Sequence, residues 1–349
     1  MSKRVLITGG AGFIGHHIID LFLQKTDWEI VSLDRLDYSG NLNRLHDVVH
    51  RYSPEVRKRV KIVWHDLRSE IQDLTQNLIG DVNIILHLAA ASHVDRSITY
   101  PMEFLMDNTV GTVNVLNFAR KLKNLERMIY FSTDEIFGIA PNGVAYAERD
   151  RYNSTNPYSA SKAAAEEFCV AYENTYKLPI FITHTMNVFG ERQHPEKFVP
   201  MSIRKVRDGQ TIYIHSDPSK TVPGSRFYIH AKDVAEAMYF LLNLNDEQKK
   251  IIYTPDYGGA KCPKFNVVGK EEVNNLELVK LVAEAQNKEL KYEMVDFHTS
   301  RPGHDLRYAL SGDFMRQLGW EPQHSFKERI KEVVEWSIQN PEWIELSGE

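Results

Sequence analysis

The chain has 349 residues, of which 42% are hydrophobic and 26% charged, and its net charge is −5 at pH 7. This length suits one large domain with a smaller one attached, and the composition is ordinary for a globular protein. A negative net charge argues against a general nucleic-acid or membrane-surface binder, and no apolar run approaches the ~20 residues of a membrane span. The two cysteines, Cys169 and Cys262, lie far apart in the sequence and indicate neither a disulfide framework nor a zinc site. Because the chain also starts without a signal-peptide pattern, we expect a cytoplasmic protein.

The first half of the chain alternates short β-rich runs with helical segments. The predicted strands are residues 4–8, 29–34, 60–66, 83–89, 127–133 and 180–185, and the predicted helices between them are residues 15–25, 42–51, 71–78, 101–123 and 158–176. Two of the strands, around Leu6 and Ile85, are continuously apolar, as expected for strands that are covered on both faces. The repeated strand–helix–strand order predicts an α/β fold with a doubly wound parallel sheet.

After Gly190, prolines and glycines break the chain into loops and shorter elements. Helices are predicted over residues 232–243, 275–287 and 326–339, and loop and strand over residues 254–270. We therefore predict a dinucleotide-binding domain over residues 1–190, to which residues 228–245 return. A smaller, interleaved C-terminal domain is predicted over residues 191–349, and it is expected to bind the substrate.

A glycine-rich turn follows the first strand and opens the first helix. Such glycines allow a tight turn and let a pyrophosphate rest on the N-terminus of the helix. The residues predicted to contact a cofactor there are Gly9, Gly12, Phe13, Ile14 and Gly15. Asp34 ends the second strand nineteen residues after Gly15, where a carboxylate can bind an adenosine ribose and repel a 2′-phosphate. This favours NAD over NADP, although Arg35 is adjacent.

Further cofactor contacts are predicted where the third and fourth strands end, because ligands bind at the carboxyl edge of open α/β sheets. These residues are Asp66, Leu67, Leu88 and Ala90, with Asn108 on the long helix that follows. The small side chains after Leu88 would let the cofactor lie against the backbone.

Two motifs carry chemically active side chains. Tyr158 and Lys162, four residues apart, share one face of a helix. A phenol has an unperturbed pKa near 10, and a cation held close favours the phenolate, which can take a proton from a sugar hydroxyl. Lys162 can also reach the nicotinamide ribose. Thr133, Asp134 and Glu135 end the fifth strand, and adjacent carboxyls in a closed site disfavour double ionisation, so that the pair can act as acid and base.

In these motifs the sequence resembles the extended short-chain dehydrogenase/reductase superfamily, and within it the dTDP-glucose 4,6-dehydratases. The matching segments are residues 8–15, 38–42, 92–97, 132–135, 157–162, 194–197 and 301–305. The resemblance implies a Rossmann fold, NAD as the cofactor and a nucleotide sugar as the substrate, with no metal. It also implies a homodimer in which helices near residues 101–123 and 158–176 pair across a two-fold axis.

The resemblance further implies a reaction cycle that the chemistry of these residues supports. Tyr158 takes the proton of the sugar 4-hydroxyl, which Thr133 binds, while a hydride passes from C4 to NAD⁺. Glu135 then removes the C5 proton, and Asp134 protonates the departing 6-hydroxyl. The hydride returns to C6 and leaves a 4-keto-6-deoxy sugar.

On the substrate side, the resemblance assigns residues from several loops. Ser92 and His93 would line the sugar site, Asn187 would touch the diphosphate, Glu196 and Lys197 would lie near the base, and Arg226, Asn266, Arg301 and His304 would surround the nucleoside diphosphate. Guanidinium groups suit phosphate geometry, which favours the two arginines in particular.

The sequence departs from the dTDP-glucose enzymes near the substrate. Ala91 stands where they usually carry glutamate, residues 210–227 are longer and differently composed, and residues 254–264 read as an insertion. The base therefore stays open between thymidine, uridine and another nucleotide. A UDP-sugar decarboxylase or epimerase is an alternative within the superfamily, but neither needs the second acid, Asp134. A catalytically silent nucleotide-sensing protein is the alternative from another class, and the intact catalytic residues argue against it.

Overall fold

The computed structural model describes residues 2–37, 39–254, 262–296 and 307–346. The strands are β1 (Arg4–Thr8), β2 (Glu29–Asp34), β3 (Val60–Trp64), β4 (Ile84–His87), β5 (Arg127–Thr133), β6 (Ile180–Thr185), β7 (Val188–Phe189), β8 (Ile212–Ser216), β9 (Ser225–Arg226), β10 (Ile229–His230), β11 (Lys264–Val267), β12 (Val273–Asn274) and β13 (Tyr292–Asp296). The helices are α1 (Phe13–Lys25), α2 (Leu42–Val49), α3 (Pro54–Arg57), α4 (Asp73–Ile79), α5 (Val94–Thr99), α6 (Pro101–Phe104), α7 (Gly111–Ala119), α8 (Pro157–Tyr176), α9 (Phe198–Arg207), α10 (Ala231–Leu242), α11 (Asp246–Ile252), α12 (Asn275–Ala285), α13 (Asp313–Gln317) and α14 (Phe326–Gln339).

A seven-stranded sheet in the order β11-β6-β5-β4-β1-β2-β3 lies at the centre, and all of its pairings are parallel. Val5 and Ile7 pack into one apolar cluster with α1 and α10, whereas Leu6 packs into a second cluster on the opposite face with α7 and α8. The continuous apolar run of β1 is thus explained by helices on both faces. The predicted α/β fold with a doubly wound parallel sheet is confirmed.

The C-terminal half of the chain contributes to this sheet. Strand β11 pairs with β6 as the edge strand, with Asn266 opposite His184, and Phe265 stacks on Phe314 of α13 at a ring distance of 5.6 Å. Helix α10 packs against α1. The predicted division of the chain assigned residues 228–245 to the sheet domain but did not assign β11 to it, because only a long-range pairing places that strand.

Outside the sheet, α9, α12 and α14 enclose a third apolar cluster with β8. The segment after β6 connects the two parts, since Phe189 packs in this cluster at 5.2 Å from the ring of Phe326. Arg192 follows and lies 4.6 Å from the ring of Trp336 on α14. These contacts place residues beyond β6 next to the carboxyl edge of the sheet.

The helical segment predicted over residues 101–123 is composite and ends at Ala119. A π-helical turn, Leu105–Val110, joins α6 to α7. Such turns insert a residue into a helix and change which side chains face inward. Here Asp107 and Asn108 are both directed towards the edge of the sheet. None of the helices in the described parts of the chain has the length and apolar composition needed to cross a membrane.

Candidate active site

A cavity of about 430 Å³ opens at the carboxyl edge of the sheet, where the ends of parallel strands meet. Of the residues predicted from the sequence, it is lined by Gly9, Gly12, Phe13, Ile14, Gly15, Asp34, Asp66, Leu67, Leu88, Ala90, Ser92, His93, Thr133, Asp134, Glu135, Tyr158, Lys162, Asn187, Glu196 and Lys197. The structure therefore brings most of the predicted cofactor, catalytic and substrate residues into one cavity.

The glycine-rich turn brings the N-terminus of α1 to the cavity wall. Gly9 has a φ of +74°, a left-handed conformation that favours glycine. A Cβ on Gly15 would collide with the carbonyl oxygen of Gly9, so the helix can start this close to the turn only with glycine at that position. Since Gly12 caps α1 without a side chain, the first backbone N–H groups remain suited to a pyrophosphate.

Asp34 lies at the end of β2 on the same wall and is 8% exposed. Its Oδ2 accepts a hydrogen bond from the Ala11 backbone N–H at 3.2 Å, and its Oδ1 accepts one from the Leu36 N–H at 2.9 Å. Burial raises the pKa of Asp34 from its ordinary value. These bonds hold the carboxylate in place, so that it can accept hydrogen bonds from ribose hydroxyls. The glycine turn and Asp34 together fit a dinucleotide.

The acid pair lies where β5 ends and a 3₁₀ turn, Asp134–Phe137, begins. Asp134 is 4% exposed; its Oδ1 accepts a hydrogen bond from Thr133 Oγ1 at 3.0 Å, while its Oδ2 is buried and has no hydrogen-bond partner within the described structure. Burial raises the pKa of Asp134 to about 6. Burial and the charge of Asp134 raise the pKa of Glu135 to about 7. The pair therefore retains a proton close to neutral pH.

Helix α8 carries the other two catalytic candidates into the cavity. Lys162 Nζ donates a hydrogen bond to the carbonyl oxygen of Phe131 at 2.5 Å and lies 4.4 Å from the ring of Tyr130. Burial lowers the pKa of Lys162 to about 7. Burial and the charge of Glu135 raise the pKa of Tyr158 well above its ordinary value.

That Lys162 favours the phenolate of Tyr158 stays a prediction for the protein with a cofactor bound. In the protein alone, burial and the nearby carboxyls raise the pKa of Tyr158, and Lys162 Nζ donates its hydrogen bond to the strand carbonyl of Phe131. The tyrosine is thus neutral in the protein by itself.

Both the sequence and the fold are similar to those of known proteins. Residues 6–333 match the family model described as GDP-mannose 4,6 dehydratase. The chain belongs to this family. The chain is 33% identical to the dTDP-glucose 4,6-dehydratase of Salmonella typhimurium, over 98% of this chain and 94% of that protein. It is 35% identical to a trifunctional UDP-glucose 4,6-dehydratase of Arabidopsis thaliana, over 98% of this chain and 48% of that protein.

Among solved structures, the chain is similar to a dTDP-glucose 4,6-dehydratase from Streptomyces venezuelae with NAD bound. The TM-score is 0.82 at 32% identity, and the match covers 98% of this chain and 99% of that one. The predicted superfamily and the predicted class of enzyme, a nucleotide-sugar 4,6-dehydratase, are confirmed by these matches.

Two residues that were predicted to contact ligands, Asn108 and Asn266, do not line the cavity. Their side chains form hydrogen bonds within the protein. Asn108 donates hydrogen bonds to the Ala91 carbonyl oxygen at 3.0 Å and to Ser161 Oγ at 2.9 Å, and accepts one from the Ala91 N–H at 2.8 Å. Asn266 is fully buried on β11, and its amide binds His184 and two backbone carbonyls. Both asparagines hold neighbouring segments in place, and their predicted contacts with ligands stay predictions.

The remaining predicted residues on the substrate side fall into two groups. Arg226 on β9 does not line the cavity but lies near it, since its charge acts on both Asp134 and Glu135 and opposes the rise in their pKa values. Its guanidinium stacks 4.9 Å from the ring of Tyr308. Arg301 and His304 lie outside the described residues.

Asn156 is a site residue that the sequence reasoning missed. It caps α8, with its side chain accepting a hydrogen bond from the Ser159 N–H at 2.8 Å. Its Nδ2 donates to Glu135 Oε2 at 3.1 Å. Asparagine before a proline at the start of a helical pattern is a known N-cap signal, and that signal could have identified this residue. It connects the base of the acid pair to the helix that carries Tyr158.

We expect Asp134→Asn to stabilise the folded protein by about 3 kcal/mol at neutral pH and above. The folded pKa of Asp134, about 6, lies above its unfolded value, so the ionised carboxyl destabilises the native state by an amount that grows as the pH rises from the unfolded pKa to the folded one and is constant above it. The gain should therefore be larger at pH 8 than at pH 5 when Tm is measured by calorimetry. The exposed Asp246→Asn serves as the control, and an equal gain from Asp134→Asn at both pH values would contradict the prediction.

Proposed function

We propose that the protein is an NAD-dependent 4,6-dehydratase of a nucleotide-activated hexose, with dTDP-glucose as the first candidate substrate. The observation that carries this proposal is the acid pair, buried Asp134 and half-buried Glu135, in one cavity with Tyr158 and Lys162. An enzyme that only oxidises and re-reduces C4 has no need of two carboxyls that keep a proton near neutral pH. The Salmonella and Streptomyces relatives bear the name dTDP-glucose 4,6-dehydratase.

NAD is the cofactor that the glycine turn and Asp34 fit, and the Streptomyces relative was solved with it bound. When bound, NAD⁺ supplies a hydride acceptor for C4 of the sugar and, once reduced, a hydride donor for C6. The turn before α1 would hold its pyrophosphate, and Asp34 would hold its adenosine ribose. Lys162, which is buried beside the end of β5, would hold the nicotinamide ribose.

The first step assigned to the protein is removal of the proton from the sugar 4-hydroxyl. Tyr158 is the base for this proton, and Thr133, whose hydroxyl acts to lower the pKa of Tyr158, would hold the 4-oxygen. Because burial and the carboxyls keep the phenol neutral in the protein alone, its deprotonation depends on positive charge that arrives with the cofactor. The proton moves from O4 to the phenolate as C4 is oxidised to a ketone.

The second step is loss of water across C5 and C6. The 4-ketone acidifies the C5 hydrogen, and Glu135, held by Asn156, takes this proton while the C6–O bond breaks. Asp134 gives its proton to the departing hydroxyl, which leaves as water. At pH values between about 6 and about 7, the two carboxyls hold one proton. The higher pKa of Glu135 places this proton mainly on Glu135 in the protein alone, so the step requires that it lie on Asp134 when the sugar is bound. C5 is reprotonated when C6 is reduced, which gives the 4-keto-6-deoxy sugar.

UDP-glucose is a second candidate substrate, because the similarity to the Arabidopsis UDP-glucose 4,6-dehydratase is as high as that to the dTDP-glucose enzymes. Purified protein with NAD⁺ should convert at least one of dTDP-glucose, UDP-glucose and GDP-mannose to a 4-keto-6-deoxy product, which is detected by its absorbance in alkali. We expect dTDP-glucose to react with the highest kcat/KM. If no nucleotide hexose reacts while NAD⁺ still binds, the nucleotide-sensing alternative is favoured and the proposal fails.

Asp134→Asn should slow loss of water by at least about a hundredfold, while oxidation of C4 proceeds. Asparagine keeps the shape of the side chain but has no proton to give to the leaving hydroxyl. Enzyme-bound NADH should therefore accumulate, as measured by its near-ultraviolet absorbance in a single turnover. Tyr158→Phe is the matched control, in which oxidation itself is blocked and no NADH should form. If Asp134→Asn slows NADH formation as much as turnover, the role given to Asp134 is wrong.

We also propose that the protein forms a homodimer through α8 and the helical segment that precedes it. The support is a set of exposed apolar side chains on these helices: Tyr100, Met102, Leu105, Met106, Phe168 and Tyr176, each at least 37% exposed. Apolar side chains that are exposed on helices packed together, as α6 and the π turn are with α8, are typical of protein interfaces. A cytoplasmic location is proposed with it, since Cys169 and Cys262 are both free and buried.

Phe168→Asp should convert the dimer to a monomer at micromolar concentration, as measured by light scattering, because the charge would be buried at the interface. Leu74→Asp on α4 is the control, since Leu74 is 75% exposed and lies on another part of the surface. A wild-type protein that is monomeric, or a Phe168→Asp variant that stays dimeric, would contradict the proposed interface.

A further inference from the structure

Arg35, the residue after Asp34, has its guanidinium group fixed by two carboxylates. Its two terminal nitrogens donate hydrogen bonds to the two oxygens of Asp107, at 2.6 Å and 2.8 Å, and its Nε donates to Asp37 Oδ2 at 2.7 Å. The bidentate arrangement with Asp107 is the strongest geometry that a guanidinium group and a carboxylate can form. The side chain of Asp107 is only 10% exposed, so water screens this pair weakly.

The position of Asp107 is set by the π turn and not by a flexible loop. The next residue along the turn, Asn108, binds both backbone groups of Ala91 and the hydroxyl of Ser161. These bonds anchor the turn to the edge of the sheet and to α8. The carboxylate of Asp107 is thereby held against Arg35 by the fold.

The pair lies at the end of the cavity that contains Asp34. The charged side chains that line this end and contact one another are Arg35, Asp37, Asp66, Arg68 and Asp107. With Asp34, this set holds four carboxylates and two guanidinium groups, and hence a formal charge of −2. Arg44 also lines the cavity, where it donates hydrogen bonds to the carbonyl oxygens of Ser39 and Arg192; when its charge is included, the formal charge is −1. The end of the cavity beside Asp34 is therefore unfavourable for additional negative charge.

We infer that Asp107 is a specificity-determining residue for the cofactor, because it keeps Arg35 from binding the 2′-phosphate of NADP. The inference rests on the proposed NAD-dependent function and deepens it. An arginine beside the acidic residue that ends β2 is well placed for a 2′-phosphate, and a guanidinium group matches phosphate geometry. Asp34 repels that phosphate from one side, while Asp107 and Asp37 occupy the donors that would otherwise attract it.

The test is direct binding of NAD⁺ and of NADP⁺ to the purified protein, measured by isothermal titration calorimetry without a sugar nucleotide. The variants are Asp107→Asn, Arg35→Gln and the double variant. Asparagine keeps the shape of Asp107 but offers Arg35 one neutral acceptor in place of two charged ones. We expect Asp107→Asn to raise the affinity for NADP⁺ relative to NAD⁺ by about tenfold, the size of one charge-assisted contact.

The double variant separates release of Arg35 from a general loss of negative charge. If the inference is correct, the gain disappears when Arg35→Gln is combined with Asp107→Asn, because no guanidinium is left to bind the phosphate. Should Asp107→Asn fail to fold, Asp37→Asn releases the other side of the same guanidinium and should give a smaller gain in the same direction.

The outcomes distinguish this inference from the proposed function. An unchanged ratio of the two affinities in the folded variants, or a gain that survives Arg35→Gln, overturns the role of Asp107 alone. A wild-type protein that does not bind NAD⁺ overturns the proposed function, and the inference with it.

Discussion

Burial of the central strands on both faces is the constraint on which the site depends. Residues 5–7 of β1 and 84–86 of β4 are apolar and covered by helices on both faces, as is typical of parallel sheets, whose strands all end at one edge. Polar residues that would be unfavourable in the apolar core therefore lie at this edge of the sheet. The glycine turn, Asp34 and the acid pair come from distant parts of the sequence, and they share one cavity because strands β1, β2 and β5 end at the same edge of the sheet.

Burial away from water also sets the pKa values of the groups in the site. It penalises whichever form of a group is charged, so it raises the pKa values of Asp134 and Glu135 and lowers that of Lys162. Carboxyl and amino groups, whose pKa values differ by several units in water, thus have similar pKa values in this site. A site of this kind can move a proton in either direction with little change in free energy, which suits a cycle that oxidises and then reduces the same sugar.

Local patterns in the sequence were enough to predict the strands up to Thr185 and the glycine turn, because each depends on neighbouring residues in the chain. The prediction missed features that depend on distant partners. Strand β11 is defined by its pairing with β6, and the π turn around Asp107 is defined by contacts of its side chains across the fold. Asn108 and Asn266 were assigned to ligands because a sequence does not reveal that internal acceptors and donors already use their amides.

Asn156 has a consequence for how such an enzyme can evolve. One side chain both starts α8 and binds Glu135, so the residue that shapes the helix also tunes the base. A substitution there cannot alter the chemistry while leaving the scaffold untouched, or the reverse. Evolution towards another reaction on this fold would have to begin at positions that do not also shape a helix. Asp134 is such a position, since its Oδ2 has no hydrogen-bond partner in the described structure.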